Sequence, residues 1–506
     1  MGRRGWHSVL LGIFGIFALA GCYGDPNDPQ TWVKKLHDVR EQKEAVRNLV
    51  RLNDKSVVPA LIAYYKDPKG SKDPEVLEAL IHFHDPRSIP LFIEALDYTE
   101  QDFDSAAKSA IELGNLQAKE AVPALIKALD KPLPIKSRAN LVKQEVIRAL
   151  AQIKDPAAVE PLCKVVRALP DEQDMFLNKV AALALGRIGD SRAVPCLLYG
   201  AFISRVDGVT FFPEVRIAVT QIGEPAVDPL IALLQEKNPD VQTLGKKLDF
   251  KPGVVGFKAA YLLGDLRAKK AVPALIARLH EPPQGDMQRS ILISLGQIGD
   301  PAGVQAALAV LKDGKQKSEY RQGACQAMMA ARNFAAAPVL LGIAKEKGAD
   351  AKLRSSAAYA LGVLGGKAEH AAFAPVAKAE EYQEFRQAME RLEVAKDCTG
   401  EPDDCWAKAL DDPKITKQEK GAFMLGAAKN RAKALQALLA HIGVQEQVVR
   451  LAIIDSVRRL ADKGCTECQQ KLRELINREE KLTSKIPQYK GLVDEMTVTL
   501  AALSRA

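Results

Sequence analysis

Between Asn178 and Phe202 the chain reads NKVAALALGRIGDSRAVPCLLYGAF, and apolar residues recur every three or four places at Val180, Ala181, Leu183, Ala184, Leu185 and Ile188. The pattern breaks at Gly189-Asp190 and resumes at Val194, Leu197 and Leu198. This spacing predicts a helix, a tight turn and a second helix. Gly186 lets a neighbouring helix approach closely, and Gly189 suits the left-handed backbone that ends a helix. Asp190 offers an oxygen to the free amides of the next helix, and Pro195 fits its first turn. Such a hairpin has one apolar face and nothing of its own to bury it against.

Copies of the second-helix pattern fill the chain. They read VPALI at Val58, IPLFI at Ile89, VPALI at Val122, VEPLC at Val159, VPCLL at Val194, VDPLI at Val227 and VPALI at Val272. Their starts lie 31 to 45 residues apart, the period of two-helix solenoid repeats. Weaker copies follow at Val304 (VQAAL), at Ala337 (APVLL) and, in the first helix only, at Ser355 (SSAAYALGVLGG). The motif resembles the HEAT family, and most closely the short bacterial HEAT-like repeats named from phycobilin lyases. Their pattern AAxALGxIGDPRAVPALIxAL is nearly met by residues 181–198 and 294–311. The resemblance spans residues 32–476 and implies an all-α fold, a right-handed α-solenoid of HEAT-like helical hairpins. It implies little about function, because a solenoid is a surface on which many different sites are placed.

The N-terminus breaks the periodicity. Gly2-Arg-Arg-Gly-Trp-His is positively charged, Ser8 to Leu19 is a short apolar core, and Leu19-Ala20-Gly21-Cys22 resembles the lipobox of a bacterial lipoprotein signal. That resemblance makes residues 1–21 a signal peptide and Cys22 the thiol that takes diacylglycerol. Two or three acyl chains on Cys22 hold a protein durably on a membrane, whereas one does not. Tyr23, where an Asp would favour inner-membrane retention in enterobacterial lipoproteins, points to the outer membrane, facing periplasm or cell surface. Residues 22–31, rich in Pro, Gly and Asp, read as a short tether.

Beyond the signal, apolar residues at 47% and charged residues at 26% describe an ordinary globular body. Residues 1–21 hold Arg3 and Arg4 and no acid, so 69 basic residues face 63 acidic ones in the remainder, a formal charge of +6. The concave positions that follow each VPALI-like core are Ala63, Glu94, Lys127, Lys164, Tyr199, Ala232, Ala277 and Ala309. These make no phosphate-tracking stripe, so no nucleic-acid partner is expected.

Three connections between repeats are long, at residues 168–174, 204–213 and 235–253. Such insertions emerge along one edge of a solenoid, often the binding edge. In the middle one Val209, Phe211 and Phe212 are candidates for contact with a partner, the alternative being that they fold back over the repeat beneath. After residue 366 the repeats become irregular, through residue 476, and the cysteines change character. Cys398 with Cys405, and Cys465 with Cys468, each flank a turn between helices, and in an exported chain they read as two local disulfides. The second pair is also a CxxC at a helix start, where redox chemistry is the alternative. Cys163, Cys196 and Cys325 fall on apolar helix faces and read as small core residues. Residues 477–506, with Leu492, Met496, Leu500 and Leu503 on one face of a helix, read as capping helices that present a polar side to solvent.

Enzyme signatures are sparse. GxSxG, HExxH, the P-loop and GxGxxG are missing from the sequence; Ser105-Ala-Ala-Lys108 matches SxxK without a following KTG. His82, His84 and Asp85 stand where LGRIGD stands in a neighbouring repeat, so turn chemistry explains them, as it does the recurrent Asp54, Asp155, Asp190 and Asp300. The sequence therefore leads to an expectation of a non-catalytic, lipid-anchored envelope scaffold that binds a protein or peptide and needs no metal or small-molecule cofactor. An enzyme subunit or lyase-like HEAT protein is the alternative, followed by a redox or chaperone-like factor using Cys465 and Cys468.

Overall fold

A computed structural model describes residues 25–67, 72–100, 103–282, 284–398, 402–483 and 489–505. Cys22, Tyr23 and the apolar stretch before them lie outside the described residues. The protein is 75% helical, and no strand occurs among the described residues. Its fold is an α-solenoid of paired helices.

The turn chemistry is visible hairpin by hairpin. Asp54, Asp85, Asp155 and Asp190 each accept a hydrogen bond from the amide two residues on, at 2.8 to 2.9 Å. What they cap is a one-turn 3-10 helix, such as Ser191–Ala193, which leads straight into the second helix, Val194–Gly200. A left-handed residue follows many of the first helices: Gly189 at φ 76° and Gly299 at φ 70°, but also Asn53, His84, Lys154, Arg267 and Arg332 near φ 50°. Gly186 and Gly296 have another task. A Cβ on Gly186 would stand 2.6 Å from Ala218 Cα, and one on Gly296 would stand 2.7 Å from Ala327 Cα. Successive first helices therefore pack backbone to backbone at these points.

The chain divides into two compact units. One is Met1–Leu162 with Glu172–Val180; the other is Cys163–Asp171 with Ala181–Ala506. In the first, the helices Gln42–Leu52, Pro74–Phe83, Phe103–Asn115 and Asn140–Ile153 pack in sequence order.

In the second, first helices again follow one another, from Phe212–Ile222 through Val254–Leu266, Met287–Ile298, Ser318–Ala330, Ala351–Leu364, Gln383–Asp397 and Ile415–Leu425 to Gln447–Leu460. The run then closes on itself. The final helix, Tyr489–Leu503, packs between Gln447–Leu460 and Phe212–Ile222. It was expected to present a polar side as a cap. Instead it buries two faces: Leu492, Met496 and Leu503 join the apolar cluster of residues 394–503, while Val498 and Ala501 meet Ile217. Both faces are apolar because the helix has a neighbour on each side.

Lys420, wholly buried, donates to the carbonyls of Val363 at 2.5 Å and Gly365 at 2.9 Å, completing the end of Ala351–Leu364. Burial pushes its ammonium down to about 7.

Two outcomes follow from this packing. Gly296→Val forces the Met287–Ile298 and Ser318–Ala330 backbones apart, and thermal denaturation should show a loss of about 1–3 kcal/mol; an unchanged melting temperature would refute the close approach. In the folded state Lys420 gives up its proton near 7, while an unfolded lysine keeps its proton until about 10.4. The unfolded state thus binds more protons between those values, and Lys420 makes stability rise with pH across that window. Lys420→Met should flatten this rise in urea unfolding curves measured from pH 7 to 10.

Candidate functional site

The closed run of helices in the second unit surrounds a cavity of about 400 Å³. One wall is the helix Gln447–Leu460, whose residues 448, 451, 452, 455, 458 and 459 recur at helical spacing along the cavity side. Its opposite face, with Val449, Ile453 and Val457, sits in the core. The closing helix adds Glu495 and Thr499, so the cavity exists only because the run of helices closes.

Asp455 is the centre of the site. Arg332 Nη1 donates to its Oδ2 at 2.8 Å, Arg459 Nε to the same oxygen at 3.0 Å, and Arg267 Nη2 to Oδ1 at 3.4 Å. Its side chain is still 42% exposed, because the carboxylate faces the open cavity. Burial would push the Asp455 carboxyl up, but Arg459, Arg332 and Arg267 together hold it well below the usual carboxylate range.

Arg332 is held from every side. Its Nε donates to Phe423 O at 3.1 Å, its Nη2 to Ser456 Oγ at 2.7 Å, and its guanidinium lies 4.3 Å from the centre of the Phe423 ring. Gly426 makes room, since a Cβ there would run into both Arg332 Nη2 and Ser456 Oγ. Arg459 also donates to Ala330 O, and Arg458 donates to Asp265 O.

Beside this cluster lies a second, balanced one. Arg216 donates through Nε to Asp265 at 2.8 Å and through Nη2 to Glu495 at 2.8 Å, with its guanidinium 4.5 Å from the centre of the Tyr261 ring. Burial would lower the Arg216 pKa, yet Asp265 and Glu495 raise it above the usual arginine range. Deeper still, Arg391 donates through Nε to Glu419 at 2.9 Å, and Tyr359 donates to the other oxygen of the same carboxylate.

Charge does not balance at the Asp455 end. Arg267, Arg332 and Arg459 meet one carboxylate there, with Arg458 beside them on the Asp265 carbonyl, since the Asp265 and Glu495 carboxylates are committed to Arg216. Burial pushes Arg267 down, and Arg459 and Arg458 push it further. An arginine stays protonated under such conditions, with Asp455 as its carboxylate partner. Guanidinium groups in that state bind carboxylate or phosphate through paired N–H donors. Among the described residues, no group of three His, Cys, Asp or Glu side chains could hold a metal ion.

The residues singled out in the sequence lie elsewhere. Phe211 is fully buried, and a Cβ on Gly200 would stand 2.9 Å from its ring, so it packs over its own repeat and is not available to a partner. Phe212 is partly buried with its ring 6.1 Å from Tyr261, and Lys258 Nζ lies 5.0 Å from the Phe212 ring centre. Only Val209, 37% exposed, faces solvent, beside the fully exposed Val206. Cys398 is joined to Cys405, and Cys465 to Cys468. Cys163 and Cys196, read as separate core thiols, are joined as well, both within the second unit and 33 residues apart, one repeat along the chain. Cys325 remains a free, buried thiol, pushed up to about 12 by burial.

Sequence reasoning passed over the arginines, although a signal existed. Aligning repeats on their VPALI-like cores puts Arg267 and Arg332 at the position of Gly189. Both hold the left-handed backbone there, at φ 51°. Lys154 stands at the same position in another repeat, and it is the arginine in a glycine's place, in two repeats, that marks where those turns differ from the others.

Residues 135–201 and 272–362 match the family model described as HEAT repeats, and residues 107–131 match that of the PBS lyase HEAT-like repeat. Deoxyhypusine hydroxylase of Eremothecium gossypii is 27% identical over 239 residues, which cover 44% of this chain and 73% of that protein. Bilin biosynthesis protein PecE of Mastigocladus laminosus is 39% identical over 83 residues, 16% of this chain and 30% of PecE. A solved complex of CpcE and CpcF of phycocyanin lyase from Nostoc is 18% identical, with 61% of this chain and 94% of that chain covered and a TM-score of 0.25. The two relatives by sequence carry enzyme-related names, and they overturn the expectation that the chain is not an enzyme. Over residues 107–131, 135–201 and 272–362 the chain thus matches HEAT repeats, among them the PBS lyase HEAT-like type, within an α-solenoid fold.

Proposed function

We propose that the protein is an enzyme subunit of the lyase-like HEAT kind, which holds an acidic substrate in the arginine-lined cavity of its second unit. The observation that carries this reading is the convergence of Arg267, Arg332 and Arg459 on one exposed carboxylate, with Arg458 beside them. A cluster built only for stability would match its charges, since an uncompensated buried charge is strongly destabilising. The surplus here faces open space of ligand size. The names of the relatives supply the enzyme context. The lipobox-like Leu19 to Cys22 supplies the place: a lipid on Cys22 puts the protein on a membrane, and Tyr23 favours the outer one. An envelope protein or peptide is then the natural partner subunit, with Val206 and Val209 on the 204–210 connection as the exposed apolar contact.

Binding of a simple anion tests the cavity. Phosphate at about 100 times its Kd stabilises a binding protein by about 2.7 kcal/mol. The chain's melting temperature should rise with phosphate at constant ionic strength, and the double variant Arg267→Gln, Arg459→Gln should lose that rise. Equal response of both proteins would remove the cavity from the reading.

Fractionation tests the anchor. The native chain should sediment with membranes and take up labelled palmitate, whereas Cys22→Ser should do neither; a Cys22→Ser protein that stays on the membrane would refute lipid attachment there.

A further inference from the structure

The cationic side chains that line the cavity, Arg267, Arg458 and Arg459, lie at one end. Along the helix Gln447–Leu460 its wall runs from Val448 and Leu451 through Ala452 to Asp455, Arg458 and Arg459. Val448 and Leu451 are 38% and 40% exposed, unusual for large aliphatic side chains inside a closed run of helices. Met329, Val363 and Phe423 line the cavity as well, from three other first helices. Since a helix rises about 1.5 Å per residue, Val448 and Asp455 are separated by about 10 Å along the wall. Water is a poor occupant of the apolar end, and an inorganic anion would leave it empty. Both ends are satisfied by one molecule with an acid group and an apolar body about 10 Å long.

We propose that the cavity binds a single-headed anionic amphiphile, with its carboxylate or phosphate on Arg267 and Arg459 and its apolar chain against Val448, Leu451, Met329 and Phe423. The inference rests on the reading of the cavity as an acid-binding site and adds the class of acid. Arg267 and Arg459 are the cations that receive the head because they retain solvent contact, at 29% and 17% of the side chain, whereas Arg332 is 6% exposed and fixed by Phe423 and Ser456. Glu419 sits among the apolar residues but is occupied by Arg391 and Tyr359, so it does not repel the chain as a free carboxylate would. The head can come from a free acid or from a lipid, and both present the same chemistry.

Calorimetric titration of the full Cys22→Ser chain with decanoate, acetate and decanol tests this directly. Decanoate should bind at least tenfold more tightly than either of the others. Arg267→Gln with Arg459→Gln should bring decanoate down to the affinity of decanol, and Leu451→Asn should bring it down to that of acetate while leaving acetate unchanged. Circular dichroism melts establish that each variant is folded. A parallel flotation with phosphatidylcholine vesicles containing phosphatidic acid separates the two sources: retention on the vesicles assigns a lipid head, and decanoate binding without retention assigns a soluble acid.

Equal affinity for acetate and decanoate would overturn the amphiphile while leaving the acid-binding reading in place. Equal affinity for decanol and decanoate would overturn it as well, by making the cavity merely apolar. Binding of none of the acids would remove both. Should Leu451→Asn not fold, Val448→Asn on the same wall carries the same expectation.

Discussion

The second unit depends on a contact between residues far apart in sequence. Arg216, on Phe212–Ile222, reaches Glu495 on the closing helix Tyr489–Leu503 while holding Asp265 on the next first helix. A buried arginine with two carboxylates, each hydrogen-bonded, is far more sensitive to loss of one partner than its net contribution suggests, because the remaining charges stay buried. Apolar packing of Ile217 on Val498 and Ala501 supplies the non-directional part of the same contact. Without this junction the first helices would remain an open run, Glu495 and Thr499 would leave the cavity wall, and the arginines around Asp455 would face bulk solvent.

Closure also explains why a surplus of positive charge is tolerated. Many hairpins of this solenoid place one left-handed residue at the end of the first helix, and glycine, asparagine or lysine fills that position elsewhere in the chain. Where the run closes, two of these positions carry Arg267 and Arg332, whose guanidinium groups converge on Asp455 of a helix well over a hundred residues later. The repeat supplies the backbone geometry at no extra cost, and closure supplies the convergence. A site can thus be placed on a repeat fold by changing single residues at equivalent turns, without disturbing the packing of glycine on alanine that sets the spacing between helices.

Much of the fold was legible in the sequence. The VPALI-like cores marked the second helices, the turn aspartates were found capping as their chemistry requires, and Gly186 stood where two backbones meet. The enzyme question was not legible by motif, because the known signatures describe nucleophiles, metals and phosphate loops, while this cavity gathers arginines, aliphatic residues and a few acidic and aromatic ones from seven helices. Phe211 shows the complementary limit. An aromatic pair in a long connection looks like a contact surface until the helix that leads into that connection is seen to leave a space over Gly200 that one of the rings fills.

The sequence by itself determined the local elements: the helices, their turns, the left-handed caps and the repeat spacing, all set by interactions among residues within one hairpin and by the periodicity of apolar side chains. Tertiary structure alone decided that the last helix would be buried on two sides, that Cys163 would meet Cys196, and that Arg267, Arg332 and Arg459 would share one carboxylate. The reason is physical. Stacking of repeats accumulates a small rotation at each step, and whether helices hundreds of residues apart come within hydrogen-bonding distance depends on the sum of those rotations, a quantity that no single repeat records.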